Sequence, residues 1–349
     1  GRVALIGMAA AATNAVVSVG LAWAGQGIFS LAWGSVSAAA VAALGAVLAS
    51  GPLPSFRPSL AEWRVMMPFG AWSSIITLLG MLVESLPRLI LGRMLGFETA
   101  GMFARSVALS QLPERLFLGA VQPVVLPALA DRWRRGQPVA APYLLGTAWI
   151  IALQWPMLVI IALLAEPLVH LLLGEQWQPV VALLPVVALS SLFLFPQYLA
   201  FPVLVAAGRV RLMALASAVT LPVTGLVLVS AAQFGIEQVA FSLLITAPTQ
   251  AVVMLAVTHR CIAFEWRQLG QVVLHGALLA GMTAAPAAVV LHWTSGTQPV
   301  GVGPAALACI AGLVGWLVGV TATGHPIRAR LARLVPRQWQ RPRQASSLR

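Results

Sequence analysis

Lysine is absent from this chain, and charged residues of every kind are scarce. Only 9% of the 349 residues are charged, and nine residues are acidic. A water-soluble protein of this length needs a far more polar surface. The two cysteines, Cys261 and Cys309, are far apart and show neither metal-ligand spacing nor the pattern of a disulfide framework. The composition therefore excludes a soluble globular protein, and we expect no metal and no cofactor.

Long apolar runs take the place of the missing charge. Hydrophobic residues make up 60% of the chain, and the mean hydropathy is +0.91. Runs of about 18 or more apolar residues are long enough to cross a hydrocarbon core of about 30 Å as helices. A transmembrane barrel would instead show short segments of alternating polarity. The sequence thus predicts an all-α, polytopic helical membrane protein.

The apolar runs divide into ten predicted transmembrane spans. The spans cover residues 3–23, 28–49, 66–91, 99–126, 143–164, 179–206, 212–232, 236–257, 270–292 and 301–321.

The arginine positions give these spans an orientation. Seventeen of the 21 arginines lie at the termini or in every second loop. Four of the five intervening loops, near residues 24–27, 174–178, 233–235 and 293–300, contain none. Because translocating positive charge is costly, both ends are predicted to be cytoplasmic. The net charge is +12. We expect the basic loops and tail to bind anionic lipid headgroups, and we expect no binding of nucleic acid.

A weak internal repeat predicts the architecture. Residues 27–33 and 235–241 share the pattern Gly-Ile-x-x-aliphatic-Ala-aromatic at an offset of 208, each across a short external turn. Spans three to eight would then form one six-helix bundle, and spans one and two would end an earlier copy in the same orientation. We therefore expect that the chain is truncated at its N-terminus. The missing part would comprise about 140 residues with four further helices. The predicted regions are 1–50 (end of the N-terminal bundle), 51–65 (cytoplasmic linker), 66–258 (six-helix bundle), 259–322 (two additional helices) and 323–349 (basic tail).

The remaining arginines, Arg88, Arg93, Arg105 and Arg115, all lie in the hairpin of spans three and four. An ionisable group at membrane depth costs about 2.5–3.5 kcal/mol on insertion scales, so it is a functional candidate by default. Glu84 is a further candidate because it precedes Arg88 by four residues and shares its helix face. The site prediction is therefore Arg88, Arg105, Glu84 and Arg115, with Arg93 solvated in the external turn.

Structural explanations for these side chains remain open beside the functional one. Arg88 and Glu84 could form a pair near the external end of span three, with the guanidinium reaching outward. Arg105 lies about 10 Å into span four and is the hardest arginine to explain without a cavity. Arg115 follows Glu114 near the cytoplasmic end, where pairing or contact with anionic lipid is a ready alternative.

Several short stretches, in their order and spacing, carry a resemblance to a known family. They are Gly-Arg-Met-Leu-Gly at 92–96, Ala-Gly-Met-Phe at 100–103, Leu-Pro at 112–113, Val-Leu-Pro-Ala-Leu at 125–129, Leu-Leu-Gly-Glu-Gln-Trp at 172–177 and Ala-Gly-Arg at 207–209. Together with the span layout, they resemble the polysaccharide flippases of the multidrug/oligosaccharidyl-lipid/polysaccharide exporter superfamily. The O-antigen and exopolysaccharide repeat-unit flippases are the most similar.

This resemblance implies a non-enzymatic transporter in the bacterial inner membrane. It implies two bundles that face a central cavity and move an undecaprenyl-diphosphate-linked glycan outward by alternating access. Arg88, helped by Glu84, would bind the diphosphate. Lipopolysaccharide or exopolysaccharide synthesis would be the process served, with a polysaccharide polymerase or export machinery as further partner. The chain contains no P-loop motif, so we expect coupling to an ion gradient or to the membrane potential.

Two alternatives stay open at this point. The first is a multidrug or metabolite exporter of the same superfamily, which a compact apolar cavity would favour. The second is a membrane glycosyltransferase or polymerase. Short predicted external loops, with no paired carboxylates for acid–base catalysis, argue against that enzyme.

Overall fold

A computed structural model describes residues 2–27, 29–49, 63–116, 131–295 and 301–323. Within these ranges the chain forms helices joined by short turns, with no strand, and eight helices are long and apolar enough to cross a membrane. The predicted all-α, polytopic membrane fold is confirmed. Helices suit these sequences because a helix satisfies its backbone hydrogen bonds internally, as a bilayer requires. Most of the predicted linker, the end of span four and nearly all of the basic tail lie outside the described residues.

The chain divides into two compact units, residues 1–66 and 67–349. The first contains helix α1 (Arg2–Trp23) and helix α2 (Phe29–Ala49), which pack together as a hairpin. Gly34 of α2 lies so near α1 that a Cβ atom there would overlap Ser18 Oγ. Ser18 Oγ in turn donates a hydrogen bond of 3.0 Å to Asn14 Oδ1. Small residues thus allow the close helix contact that drives association in lipid.

The second unit contains the remaining long helices, of which α3 begins just before the unit boundary. Buried apolar side chains join them in several core clusters, one of which includes Phe103 and another Leu158. The predicted division of this unit at residue 258 stays a prediction. The helices are α3 (Trp63–Met94), α4 (Phe97–Ser110), α5 (Ala140–Leu163), α6 (Ala165–Leu172), α7 (Gln178–Ser191), α8 (Phe195–Ala206), α9 (Val210–Ala232), α10 (Ile236–Ile262), α11 (Trp266–Ser295) and α12 (Val302–Ala322).

Span four is interrupted within its described part. Helix α4 ends at Ser110, and the chain turns at Gln111 before a helical segment at 112–116. Pro113 explains the interruption, because it has no N–H group to donate to the carbonyl four residues earlier. Within the described residues, the span predicted from residue 99 therefore contains a turn at Gln111.

Span six is also discontinuous, although its extent matches the prediction. A 3₁₀ turn at Leu192–Leu194 separates α7 from α8. Pro196 cannot donate to the carbonyl of Leu192, four residues earlier. The indole Nε1 of Trp155 donates to that carbonyl instead, at 3.0 Å. The break is thus stabilised by a side chain from α5, which a reading of span six by itself could not show.

The last two helices, α11 and α12, pack against α5 and against each other. At Gly276 of α11, a Cβ atom would overlap the buried side chain of Ile151. On α12, Trp316 Nε1 donates to the carbonyl of Ala152 at 2.8 Å. That carbonyl lies four residues before Pro156 and so lacks its normal helical donor. As at Leu192, an indole N–H therefore binds a carbonyl that proline leaves without a helical donor, and here this hydrogen bond joins α12 to α5.

Candidate functional site

A polar cavity of about 330 Å³ lies inside the second unit. Its walls come from α3, the segment 112–116, α8, α9 and α10, and both helix breaks contribute residues, Gln111 and Leu194. Interrupted helices in membrane proteins occur where the backbone lines a cavity or is buried in protein, because lipid cannot satisfy it. The polar lining residues are Glu84, Gln111, Glu114, Gln197, Tyr198, Ser217, Thr220 and Gln250.

A smaller cavity of about 160 Å³ adjoins the first. The two share Val83, Glu84, Gln111, Leu194 and Gln250 among their lining residues. The smaller cavity adds one guanidinium group and a set of hydroxyl groups to the polar surface. These belong to Arg88, Ser110, Ser190, Ser191, Thr224 and Thr246.

Glu84 and Arg88 form the ion pair that their spacing predicts. Arg88 Nη2 lies 3.1 Å from Glu84 Oε1, and 45% and 63% of the respective side chains of Arg88 and Glu84 are exposed. An exposed pair of this kind contributes only about 0–1 kcal/mol to stability. The guanidinium of Arg88 can therefore exchange its partner for an anionic ligand at little cost.

Tyr198 connects the cavity wall to the interior of α5. Its hydroxyl accepts a hydrogen bond from Gln154 Nε2 at 2.8 Å and donates one to Glu114 Oε2 at 3.3 Å. Gln154 is buried, and its Oε1 atom has no partner among the described residues. The position of the Glu114 carboxylate thus depends on a phenol that is itself oriented by a buried amide.

A second chain of hydrogen bonds joins other polar side chains of the two cavities. Gln197 Nε2 of α8 donates to Gln250 Oε1 of α10 at 3.2 Å. Gln250 Nε2 in turn donates to Thr224 Oγ1 of α9 at 3.3 Å. Three helices are thereby joined by polar side chains within an apolar bundle.

Arg105 is not among the residues that line either cavity. Its guanidinium lies 5.6 Å from the ring centroid of Trp177, in the turn before α7. Side chains on a helix lean toward its N-terminus, so Arg105 reaches back toward the end of the bundle where α4 begins. A cation–π contact of about 0.5–1 kcal/mol at an exposed site gives this arginine a structural role.

Arg115 touches the cavity only through another residue. Its Nη2 atom donates to Gln111 Oε1 at 3.3 Å, and the Arg115 side chain is exposed. This hydrogen bond spans the helix interruption, because Gln111 lies before Pro113 and Arg115 after it. Of the four predicted site residues, the structure places Glu84 and Arg88 in the cavity walls, and Arg105 and Arg115 outside them.

The sequence prediction omitted the neutral polar residues of the site. A signal was available, because an amide in an apolar span needs a partner and is rarely placed there without one. Glu114 stands beside Arg115 in the sequence, whereas its carboxylate accepts a hydrogen bond from Tyr198, a residue 84 positions away. The omitted residues are Gln111, Gln154, Gln197, Tyr198 and Gln250.

An apolar groove lies on another face of the second unit, between α5, α11 and α12. Its volume is about 340 Å³, and Met157, Thr283, Leu313 and Trp316 are among its lining residues. Elsewhere in the described part of the chain, no group of three or more His, Cys, Asp or Glu side chains is placed to hold a metal ion.

Comparison with known proteins identifies the family of this chain. Residues 2–182, just over half of the chain, match the model of a family described as polysaccharide biosynthesis protein. The chain is 29% identical over 200 residues to the succinoglycan biosynthesis transport protein ExoT of Rhizobium meliloti (strain 1021). That match covers 56% of this chain, which spans only about 40% of the length of the relative. No solved structure matches. The resemblance to polysaccharide exporters is confirmed, and the chain belongs to the polysaccharide biosynthesis protein family of multi-pass membrane proteins.

Proposed function

We propose that this protein is a flippase that moves an undecaprenyl-diphosphate-linked glycan across the bacterial inner membrane. The observation that carries the proposal is the polar cavity within an apolar helical bundle. Buried polar groups are costly in lipid and are retained where a polar ligand passes. The family and the relative's name support transport of polysaccharide precursors, and they favour a transporter over an enzyme.

Arg88 is the residue that we assign to the diphosphate. It lines the smaller cavity, and its partner Glu84 lines both cavities. Arginine binds phosphate through a planar fork of donors, which suits a diphosphate better than a point charge does. We assign Glu84 the task of orienting the guanidinium when no substrate is bound.

The apolar groove between α5, α11 and α12 suits the isoprenoid chain of the carrier. Its surface is almost entirely apolar, and the groove is open along one side. We assign the isoprenoid chain to this groove and the polar headgroup to the bundle interior. We place both chain termini in the cytoplasm and the basic loops against anionic lipid headgroups.

Deletion of the gene tests the proposed function directly. We expect lipid-linked glycan to accumulate at the inner leaflet and surface polysaccharide to be lost, with both restored by the full-length gene. The measurement is extraction of lipid-linked glycan together with immunoblotting of surface polysaccharide. Normal surface polysaccharide without accumulation, in a strain that has no second gene of this family, would contradict the proposal.

Replacement of Arg88 and Arg105 by alanine separates the two arginines. Arg88→Ala should lower surface polysaccharide about tenfold or more, because a charge-assisted contact to phosphate is worth about 1.5–3 kcal/mol. Arg105→Ala should keep more than about half of it, since the lost contact to Trp177 is worth about 0.5–1 kcal/mol. The assay is complementation of the deletion strain at equal membrane levels of each variant. Equal losses in the two variants would return Arg105 to the substrate path.

A further inference from the structure

The larger cavity has hydrogen-bonding groups of two kinds, carboxylates and neutral polar groups. Glu84 and Glu114 are the charged members among its described lining residues, and no arginine is among them. The neutral members are three amides and three hydroxyl groups, from Gln111, Gln197, Gln250, Tyr198, Ser217 and Thr220. The described lining of this cavity therefore combines two carboxylates with many neutral donors and acceptors, and one of the carboxylates, that of Glu84, is paired with Arg88 of the smaller cavity.

The amides have further hydrogen-bonding capacity. A glutamine amide has two N–H donors and an oxygen with two lone pairs. Gln111 uses its oxygen for Arg115, and Gln197 uses one donor for Gln250. These internal bonds orient the amides and leave donors for a ligand. Sugar hydroxyls both donate and accept hydrogen bonds, so they match a wall of amides and carboxylates.

The carboxylates restrict which sugars can enter. Glu114 is held by Tyr198 and has no arginine bound to it among the described residues. An anionic group brought beside it would meet like charge, and the repulsion would oppose its binding. Among the described lining residues of both cavities, the single guanidinium is that of Arg88, in the smaller cavity. We therefore assign the diphosphate to the smaller cavity and the sugar to the larger one.

We propose that the larger cavity is a carbohydrate subsite for uncharged sugar residues. Glu114 and the amides of Gln111, Gln197 and Gln250 bind the hydroxyl groups, and the Glu114 carboxylate rejects sugars that carry carboxylate groups. This assignment rests on the flippase function proposed above. The cavity volume of about 330 Å³ is at the lower end of the ligand-pocket range of about 300–1,000 Å³, so it takes a small part of the glycan and not a whole repeat unit.

The test compares two substrates that differ by one functional group. The full-length protein is reconstituted in liposomes with undecaprenyl-diphosphate linked either to a hexose or to the matching hexuronate. Flipping is followed by oxidation with membrane-impermeant periodate. The wild type should move the hexose form about tenfold faster, because like-charge contact costs the hexuronate form affinity. In Glu114→Gln, which removes the charge and keeps an oxygen acceptor for Tyr198, this ratio should fall at least about threefold.

The ratio of the two rates cancels any general loss of folded protein. Glu237→Gln serves as the matched control, because Glu237 is exposed in the first turn of α10 and lines neither cavity. Its ratio should equal that of the wild type. Equal rates for both substrates in the wild type, or an unchanged ratio in Glu114→Gln, would overturn the carbohydrate subsite while leaving the flippase intact. If neither lipid is moved, the proposed flippase function itself fails, and the subsite with it.

Discussion

Replacing Tyr198 with phenylalanine should lower transport about tenfold and the free energy of unfolding by about 1–3 kcal/mol. The phenol hydroxyl is the one hydrogen-bond partner that the structure shows for the side chain of Gln154, which is 5% exposed. Removing it leaves a buried amide without a partner, and the cost is the desolvation of that amide. It also releases the Glu114 carboxylate from its place in the cavity wall.

The measurements for Tyr198→Phe are complementation of surface polysaccharide and thermal unfolding in detergent. Tyr143→Phe provides the matched control. Tyr143 is 1% exposed, and among the described residues its hydroxyl lies near Thr147 and Thr258 without a hydrogen bond of normal geometry. Removing an unsatisfied hydroxyl should be neutral or slightly stabilising. If both variants behave like the wild type, the hydrogen bonds of Tyr198 contribute nothing to stability or transport.

Replacing Trp155 with phenylalanine should destabilise the protein by about 1–3 kcal/mol, and Pro196→Ala should remove most of that cost. Trp155 Nε1 is the donor to the Leu192 carbonyl, which Pro196 leaves without a helical partner. With alanine at position 196, a backbone N–H becomes available to that carbonyl. The indole hydrogen bond is then redundant, and the two substitutions are non-additive.

The thermal midpoints of the wild type, both single variants and the double variant measure this coupling. Trp316→Phe in the Pro196→Ala background is the control, because Trp316 binds a different carbonyl, that of Ala152. Its cost should be the same with or without Pro196. Additive effects of Trp155→Phe and Pro196→Ala would show that the indole does not replace the missing backbone donor. Pro196→Ala should also reduce transport, since it favours a continuous helix beside the cavity.

The positions of the spans were predictable because the signal is local. A run of apolar residues determines where a helix can cross lipid, and neither partner nor packing is needed to recognise it. The Glu84–Arg88 pair was predictable for the same reason, since residues four apart meet on any helix. The helix breaks were only partly predictable. Proline marks where a backbone hydrogen bond is missing, but it does not show whether the helix bends, breaks or continues.

The depth of Arg105 along its span was not enough to identify it as a cavity residue. Counting residues along span four placed it well inside the membrane and made it a candidate for the cavity. The direction of a side chain around the helix axis and the position of Trp177 were needed to place its guanidinium. Glu114 is the converse case, since its neighbour in sequence is Arg115 but its partner in space is Tyr198.

The sequence by itself determined the class of protein, its spans and its family, because hydrophobicity, charge asymmetry and short motifs are properties of the chain in order. Tertiary structure alone decided which polar residues share a cavity. Gln111, Gln197 and Gln250 come from three separate elements, and their proximity arises from helix packing over long sequence distances. Tertiary structure also decided which donor binds each carbonyl that proline leaves without a helical partner. Any tryptophan could supply an indole N–H, and helix packing determines which one is close enough.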